Sequence, residues 1–352
     1  MNEPARAGQP GASLAARLAE FTAAIDEYAQ RLITSAELPA DLDGMLRYHL
    51  GWVDEQFRPV TAPRGKHLRP ALCLLTCEAA GGRWEAALPA ATAVELIHNF
   101  SLVHDDIEDE SPLRRHRPTL WALWGVPRAL NAGDTLFVLA QLALLGDEAL
   151  ADLRCSGAQM LNRSCIALCS GQHRDLAVAA GAEPTLAGYL AMIGGKTAAL
   201  LGAACELGAL AARTPATARS AYASFGRAVG LAFQLQDDLL DVWGSAAQTG
   251  KPAREDLRAR KHSLPIVLAY QLASAVDRTE LGRLYEQPAP LPDPALQGLV
   301  ARMETLGVRQ EGERLVRELY EVALAALDAA QPQAQPRKLL RQLADSLIGR
   351  QA

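Results

Sequence analysis

Aromatic residues and paired cysteines are scarce or missing in this sequence. Aromatic residues make up only 5% of its 352 residues, and no two of its six cysteines form a CxxC pair. Such pairs are typical of zinc sites and thiol redox centres, so neither is favoured. The cysteines lie in segments with helical periodicity, where we expect buried, reduced thiols instead of disulfides. They are Cys73, Cys77, Cys155, Cys165, Cys169 and Cys205.

An excess of positive charge and a long apolar run are also lacking. The formal net charge of -5 argues against a nucleic-acid partner, because phosphates select a basic surface. The best candidate for a membrane span, residues 132–146, is shorter than the roughly 20 residues needed and contains Asp134. The first residues lack the apolar core and cleavage site of a signal peptide. We expect a cytoplasmic protein that does not span a membrane, with a flexible tail at 1–12.

The abundant residues favour helix. The sequence is 49% hydrophobic and rich in alanine and leucine, which lose little conformational freedom in a helix. Strand alternation is absent, and the proline- and glycine-rich breaks bring no change in composition. We therefore predict an all-α fold, a single-domain helical bundle over residues 13–352. Helical periodicity predicts helices at about 14–33, 68–81, 86–109, 130–149, 153–175, 196–212, 216–243 and 309–328.

Two acidic clusters interrupt otherwise apolar helices. In both "HDDIED" and "FQLQDDLLD", aspartates occupy positions i, i+1 and i+4. Residues four apart share one face of a helix, so the outer aspartates of each cluster can clamp a hard cation. Oxygen ligands without nearby cysteine indicate Mg2+ or Mn2+. The aspartates are Asp105, Asp106 and Asp109 in the first cluster and Asp237, Asp238 and Asp241 in the second.

Two other interpretations of these acidic residues are weaker. A lone DDxxD is at least as often a solvated helix end as a functional site, but two copies within apolar helices shift that balance. Glu95 and His98 form an ExxH pair like those of di-iron bundles, but such a site needs the pair twice and it occurs once.

Cations that could bind phosphate lie near the predicted loops. Arginine offers a planar fork to phosphate oxygens and lysine a point charge. "GGKTAAL" also places a lysine and a threonine at a helix start, where unpaired backbone N–H groups favour anions. The candidates are Lys66, Arg69, Arg114, Arg115, Lys196, Thr197, Lys251 and Lys261, with His98 two turns before the first cluster.

The ordered motifs GKxxRP, HDDxxD, RRxxPT, GGKT, FQxxDDxxD and GKPxxxD, over residues 65–265, resemble the trans-isoprenyl diphosphate synthases. The resemblance implies an all-helical domain around a deep apolar cavity, usually as a homodimer, with both acidic motifs at the cavity mouth. Arg64 and His116 depart from it, since they stand where the family commonly has glycine. Both departures put local loop geometry in question without removing a phosphate or metal ligand.

The same resemblance assigns roles to individual residues. Magnesium ligands are Asp105, Asp109 and Asp237, supported by Asp106, Asp238 and Asp241. Ligands of isopentenyl diphosphate are Lys66, Arg69, His98 and Arg115. Ligands of the allylic diphosphate are Arg114, Lys196, Thr197, Gln234, Lys251 and Lys261, and Lys196 also neutralises the leaving group.

Together these features predict a prenyltransferase that condenses isopentenyl diphosphate with an allylic diphosphate. Two alternatives are weaker: a class I terpene cyclase usually lacks the second DDxxD, and a non-catalytic partner subunit tends to lose its acidic ligands. Product length in the family depends on the bulk beneath the first motif. An aromatic at Phe100 and a small residue at Ser101 favour a twenty-carbon product, geranylgeranyl diphosphate, over fifteen-carbon or longer ones.

Overall fold

The computed structural model describes residues 13–60, 65, 67–146, 150, 151, 153–179, 185–244, 254–285 and 290–349. The predicted tail at 1–12 lies outside these residues. Helices account for almost all of the regular structure, so the prediction of an all-α fold is confirmed.

The described residues form sixteen α-helices. They are α1 (Leu14–Ser35), α2 (Ala40–His49), α3 (Leu68–Ala79), α4 (Leu88–Glu108), α5 (Leu120–Trp124), α6 (Val126–Leu145), α7 (Ala158–Ala179), α8 (Leu186–Ile193), α9 (Ala199–Ala211), α10 (Ala216–Trp243), α11 (Glu255–Arg258), α12 (Leu264–Leu272), α13 (Ala275–Tyr285), α14 (Asp293–Thr305), α15 (Val308–Ala329) and α16 (Ala334–Ile348). A 3-10 turn at Trp84–Ala87 precedes α4, and π-helical turns at Leu153–Gly157 and Gly194–Ala198 precede α7 and α9.

The chain divides into two compact units. Unit 1 comprises Met1–Gln159, Leu207–Thr214 and Pro332–Gln342. Unit 2 comprises Met160–Glu206, Pro215–Gln331 and Leu343–Ala352. A single domain over residues 13–352 stays a prediction.

In unit 1, α4 packs along α6 through small residues. Ala90, Ala93 and Ile97 on α4 are fully buried, as is Ala132 on α6. A Cβ atom added to Gly133 of α6 would collide with the His104 ring. The absence of a side chain at position 133 therefore leaves room for the His104 ring beside the last turn of α4.

In unit 2, α10 packs along α15 and against the π-helical turn at Gly194–Ala198. A Cβ atom at Gly312 of α15 would lie 2.7 Å from the side chain of Leu239 on α10. A Cβ atom at Gly195 would collide with the carbonyl oxygen of Ala167 on α7. Gly195 lets its π-helical turn approach the backbone of α7, and Gly312 makes room for the Leu239 side chain of α10. These contacts help to position the elements that carry "GGKT" and "FQLQDDLLD".

A small hairpin breaks the all-helical pattern. Strand β1 (Leu113–Arg114) pairs antiparallel with β2 (Arg117–Pro118), where no strand was predicted. Its two turn residues, Arg115 and His116, have φ of 52° and 63°. Two positive φ values in succession define the turn that suits the twist of a two-residue hairpin, and glycine adopts them most readily. His116 therefore takes the left-handed conformation that the family's glycine allows.

The start of one predicted helix and the expected burial of two cysteines need correction. Helix α6 begins at Val126 instead of 130, because Gly125 has φ of 84° and Pro127 suits a first helical turn. Cys155 and Cys169 are exposed, while the other cysteines are buried as expected. Cys169 lies beside, not on, the face of α7 that buries Leu161 and Leu168. No disulfide joins the six cysteines, all of which are described.

Two helical runs are longer than the candidate at residues 132–146 and, by length and composition alone, could cross a membrane. They are Trp84–Glu108 and Leu186–Ala211, whose most apolar windows are 67% and 61% buried within the protein. Core helices of soluble proteins have the same length and composition. Their burial favours a core role for both runs.

Candidate active site

The first acidic motif occupies the last turn of α4. Asp105 is half-buried, Asp106 is only 3% exposed, and Asp109 is exposed and caps the helix. The N–H of Asp109 donates to the carbonyl oxygen of Asp105 at 2.9 Å, and the chain turns away at Glu110 with φ of 49°. Asp105 and Asp109 thus lie one helical turn apart at a helix end, as the spacing predicted.

Asp106 faces inward and is held by Arg114. Its Oδ1 accepts from Nε and a terminal nitrogen of Arg114 at 2.8 and 2.7 Å. Burial raises the pKa of Asp106, and the Arg114 guanidinium opposes that rise. Arg114, assigned from the sequence to the allylic diphosphate, therefore anchors the hairpin to the acidic motif in this structure.

Arg69 and His98 meet inside unit 1. The guanidinium of Arg69 lies 3.3 Å from Nε2 of His98. Burial, followed by the charge of Arg69, lowers the pKa of His98 well below its ordinary value, so the imidazole is neutral at physiological pH. The pairing joins GKxxRP to the helix of the first acidic motif. Lys66, the lysine of GKxxRP, lies outside the described residues, as does Arg64.

Arg115 reaches the same loop from the hairpin. A Cβ atom on Gly65 would lie 2.7 Å from a terminal nitrogen of Arg115, so the guanidinium lies close to the backbone at Gly65. Burial lowers the pKa of Arg115, and Glu95 partly offsets that effect. The two arginines assigned to isopentenyl diphosphate, Arg69 and Arg115, are therefore both in unit 1 and both influenced by the same buried carboxylate.

His49, the last residue of α2, joins this basic group although no sequence motif contains it. It lines a cavity with Asp106, Arg114 and Arg115, and its buried Nε2 has no hydrogen-bond partner among the described residues. Burial, then the positive charge of Arg114, lowers the pKa of His49 to about 3. Its placement depends on the packing of α2 against the hairpin, which periodicity does not reveal.

The second acidic motif lies near the end of α10 in unit 2. Asp237 is exposed, whereas Asp238 is 5% exposed and accepts three hydrogen bonds. Tyr189 Oη and the N–H of Leu264 donate to its Oδ2 at 2.7 and 2.8 Å, and Gln234 Nε2 donates to its Oδ1 at 2.9 Å. Burial raises the pKa of Asp238 to about 7, and the three donors oppose that rise. The motif thus repeats the pattern of the first, with a buried middle aspartate and a more accessible one before it.

Gln234 also connects this motif to "GGKT". Its Oε1 accepts from Thr197 Oγ1 at 3.0 Å, so Thr197, Gln234 and Asp238 form one chain of hydrogen bonds. Lys196 in the same π-helical turn lies 2.8 Å from Oδ2 of Asp175 on α7. Tyr189 and Asp175 belong to this arrangement but carry no recognisable sequence signal, because neither lies in a motif.

The candidate residues at and after the end of α10 make longer contacts. The carboxylate of Asp241 accepts from the N–H groups of Glu255 and Asp256 at 3.2 Å each, at the start of α11. Lys261 lies 4.0 Å from Asp256 and is partly exposed. Lys251 lies outside the described residues.

The two residues assigned to product length lie on α4 one turn before the first motif. The ring of Phe100 packs against His104 at 4.7 Å and against Phe137 of α6 at 5.4 Å, between centroids. Ser101 is half-buried, and its hydroxyl donates to the carbonyl oxygen of His98 at 2.8 Å. Phe100 therefore packs between α4 and α6, and its assignment to product length stays a prediction.

The chemistry of the acidic residues suits a hard divalent cation. Each motif offers carboxylate oxygens one helical turn apart, and no cysteine adjoins them. The histidine next to the first motif, His104, lies with Nε2 3.4 Å from Oδ1 of Asp134. Within the described residues, no three histidine, cysteine or acidic side chains are grouped as a complete metal site. Magnesium is commonly held by one or two carboxylates plus waters and substrate phosphates, so the residues present fit this ion.

Comparison with known proteins agrees with these motifs. The family model described as polyprenyl synthetase matches residues 51–294. A geranylgeranyl diphosphate synthase from Mycobacterium tuberculosis is 40% identical over 302 residues, which are 85% of this chain and 85% of that protein. A (2E,6E)-farnesyl diphosphate synthase from Mycobacterium bovis is 48% identical over 224 residues, 63% of this chain. The match spans only 61% of that relative's length.

The fold agrees as well. The crystal structure of a polyprenyl synthetase from Streptomyces coelicolor has a TM-score of 0.89 to this chain at 32% sequence identity, covering 96% of this chain and 100% of that one. Because the family model matches more than half of the residues, and the resemblance seen in the motifs extends to whole-chain relatives, the chain belongs to the polyprenyl synthetase family.

Proposed function

We propose that this protein is a trans-prenyltransferase that condenses isopentenyl diphosphate with an allylic diphosphate to give geranylgeranyl diphosphate. The observation that carries the proposal is the repeated acidic motif. In each copy the middle aspartate is buried and accepts hydrogen bonds from the protein, and the aspartate before it is more accessible to solvent. The relatives named geranylgeranyl and farnesyl diphosphate synthase support the reaction class.

Asp105, Asp109 and Asp237 hold Mg2+ in this proposal, with Mn2+ as a substitute. When bound, the ion neutralises charge on the allylic diphosphate and so favours its departure. The other three aspartates do not bind the ion but position the ligands through contacts with the protein; they are Asp106, Asp238 and Asp241. The burial of Asp106 and Asp238 and the backbone contacts of Asp241 agree with that supporting role.

The protein's own cations bind and orient the two diphosphates. Lys196 neutralises the leaving diphosphate, so the allylic C–O bond ionises to a delocalised cation. Arg69, His98 and Arg115, with Lys66, hold isopentenyl diphosphate so that its double bond attacks this cation. No described side chain is an obvious general base, so the released diphosphate accepts the proton that is lost.

The remaining diphosphate ligands act on the allylic substrate. Thr197 and Gln234 keep their chain of hydrogen bonds to Asp238, which orients the π-helical turn that carries Lys196. Arg114 binds the allylic diphosphate while its guanidinium also pairs with Asp106. Two lysines that follow the second motif, Lys251 and Lys261, are the other ligands of the allylic diphosphate.

A twenty-carbon product and a cytoplasmic homodimer complete the proposal. Phe100 packed on Phe137 limits the space beside α4, while Ser101 leaves a passage. On α6, the side chains of Leu130, Val138 and Leu142 are 38%, 52% and 47% exposed and lie on one broad side of the helix. An exposed apolar row on a helix is typical of a subunit interface.

Product analysis tests the proposal. The purified chain is incubated with labelled isopentenyl diphosphate and, in turn, five-, ten- and fifteen-carbon allylic primers, and the dephosphorylated products are separated by chromatography. We expect a linear twenty-carbon alcohol. Cyclic hydrocarbons would indicate a terpene cyclase instead, and no turnover would indicate a non-catalytic subunit.

Kinetics of two variants test the division of cations between the two substrates. Arg115→Ala should mainly raise the KM for isopentenyl diphosphate, because it removes a ligand that the ground state already uses. Lys196→Ala should mainly lower kcat, because charge on the leaving group develops in the transition state. If both variants weaken both substrates equally, the assignment to separate sites is wrong.

A further inference from the structure

A small polar cavity lies behind Arg115 in unit 1. We call it the Glu95 cavity, after the carboxylate that lines it together with His67, Thr92, Asn99 and Arg115. Glu95 and Asn99 are 7% and 2% exposed, and Thr92 is fully buried. Polar groups in such surroundings need partners, because an unpaired buried donor or acceptor costs free energy.

Two polar atoms that line the Glu95 cavity have no hydrogen-bond partner among the described residues. They are Oγ1 of Thr92 and Nδ1 of His67. Nδ1 of His67 lies 3.6 Å from Oε1 of Glu95, which is too long for a direct hydrogen bond. Asn99 Nδ2 donates to the same oxygen at 2.9 Å, so the Glu95 carboxylate has one hydrogen-bond partner among the described residues and shares the cavity with Thr92 and His67.

Opposite charges line the Glu95 cavity, since Glu95 and Arg115 both border it. Glu95 is the carboxylate with the strongest electrostatic effect on both Arg69 and Arg115, and it favours their charged forms. No hydrogen bond within the described part of the chain joins Glu95 directly to Arg115, although both line the cavity. A polar contact across such a gap is commonly completed by a bridging water, and the cavity has room for about one.

We propose that the Glu95 cavity binds a water molecule that links Glu95 and Thr92 to Arg115. Thr92 and Glu95 are then positioning residues, which hold the Arg115 guanidinium ready for a diphosphate. This inference rests on the proposed function of Arg115 and adds an assignment for Glu95. The carboxylate that a di-iron interpretation would have made a metal ligand instead orients a cation.

Thr92→Val is the informative variant because it removes the hydroxyl at nearly constant shape and changes no charge. We expect the Kd for isopentenyl diphosphate, measured by calorimetry on the full chain without an allylic primer, to rise roughly threefold. The melting temperature should stay within about 3 °C of wild type, because a hydroxyl lacking protein partners contributes little to stability. In steady state, the KM for isopentenyl diphosphate should rise while kcat is unchanged.

Thr76→Val is the matched control. Thr76 on α3 is also fully buried with an unpartnered Oγ1, but it does not line the Glu95 cavity. The Kd of Thr76→Val for isopentenyl diphosphate should equal that of wild type.

Glu95→Gln keeps an acceptor for Asn99 and removes the charge. Its Kd for isopentenyl diphosphate should rise on the order of tenfold, as for other residues that orient a ligand-binding side chain.

Unchanged binding in Thr92→Val, or tighter binding in Glu95→Gln, would overturn the inference. In the latter case Glu95 would act only as a charge that repels the diphosphate. A fall in melting temperature that accounts for the loss of binding in Thr92→Val, or an equal loss in Thr76→Val, would also overturn it. Wild type that binds isopentenyl diphosphate but does not turn over would contradict the proposed function and leave this binding comparison valid.

Discussion

Replacing Gln234 with glutamate would set a second acceptor 2.9 Å from the carboxylate of Asp238. The Thr197 hydroxyl could still donate to residue 234, but the hydrogen bond from Gln234 Nε2 would be lost. Two charges at that distance repel by roughly 6 kcal/mol at an effective dielectric constant of about 20. A shared proton limits this penalty, because burial already raises the pKa of Asp238 to about 7.

The size of the loss follows from that pKa. In the absence of a cation, protonating Asp238 at pH 8 costs about 1.4 kcal/mol, since the pH is about one unit above the pKa. The folded variant keeps a proton that the unfolded chain releases, so its stability falls as pH rises through 7. We expect Gln234→Glu to lose about 1.5–2.5 kcal/mol at pH 8 and much less at pH 6, relative to wild type.

The reciprocal exchange should restore stability. In the double variant Gln234→Glu with Asp238→Asn, the new amide nitrogen donates to the new carboxylate at position 234, and the amide oxygen still accepts from Tyr189 and Leu264. Its free energy of unfolding at pH 8 should return to within about 1 kcal/mol of wild type. The assay is urea denaturation followed by circular dichroism, with EDTA present. Equal stability of Gln234→Glu and wild type at pH 8, or additive losses in the double variant, would refute the hydrogen-bond chain.

Three further predictions concern the metal ligands, the product length and the hairpin turn. Chelation of divalent cations should abolish turnover. Asp105→Asn or Asp237→Asn should lower kcat at least about a hundredfold, while the free energy of unfolding changes by less than about 0.5 kcal/mol. Undiminished activity in either variant would show that the metal assignment is wrong. Ser101→Phe should shorten the product by filling the passage beside α4, and Phe100→Ala should lengthen it; an unchanged chromatogram for both variants would mean that another helix sets the limit. His116→Gly should leave stability unchanged or raise it by up to about 1 kcal/mol, because it relieves a left-handed conformation but gives the unfolded chain more freedom; a clear fall in melting temperature would show that the histidine side chain stabilises the turn.

The spacing of the aspartates predicted their positions along the two helices, while their role as metal ligands stays a prediction. Helical geometry alone places Asp105 and Asp109 one turn apart, and no tertiary information is needed for that step. The spacing could not predict which aspartate of each motif is buried. Burial of Asp238 depends on Tyr189 and Leu264, which lie 49 and 26 residues away in the sequence. Long-range partners of this kind leave no periodic signal in a single sequence.

Backbone conformation was only partly predictable. The departure from glycine at His116 put the local loop geometry in question, and the structure answers it with a positive φ at that residue. The same conformation at Arg115 carried no sequence signal, because arginine is uncommon at positive φ. His49 likewise escaped notice, since its role depends on the contact between α2 and the hairpin.

The hydrogen bond from Leu264 to Asp238 has a consequence for amide exchange. The first N–H groups of a helix have no partner within the helix, so they normally exchange rapidly with solvent. Leu264 is the first residue of α12, and its N–H is buried against the carboxylate of the second acidic motif instead of a capping side chain from Ser263. Deuterium uptake at this one amide therefore reports whether Asp238 is in place, without any substrate or turnover.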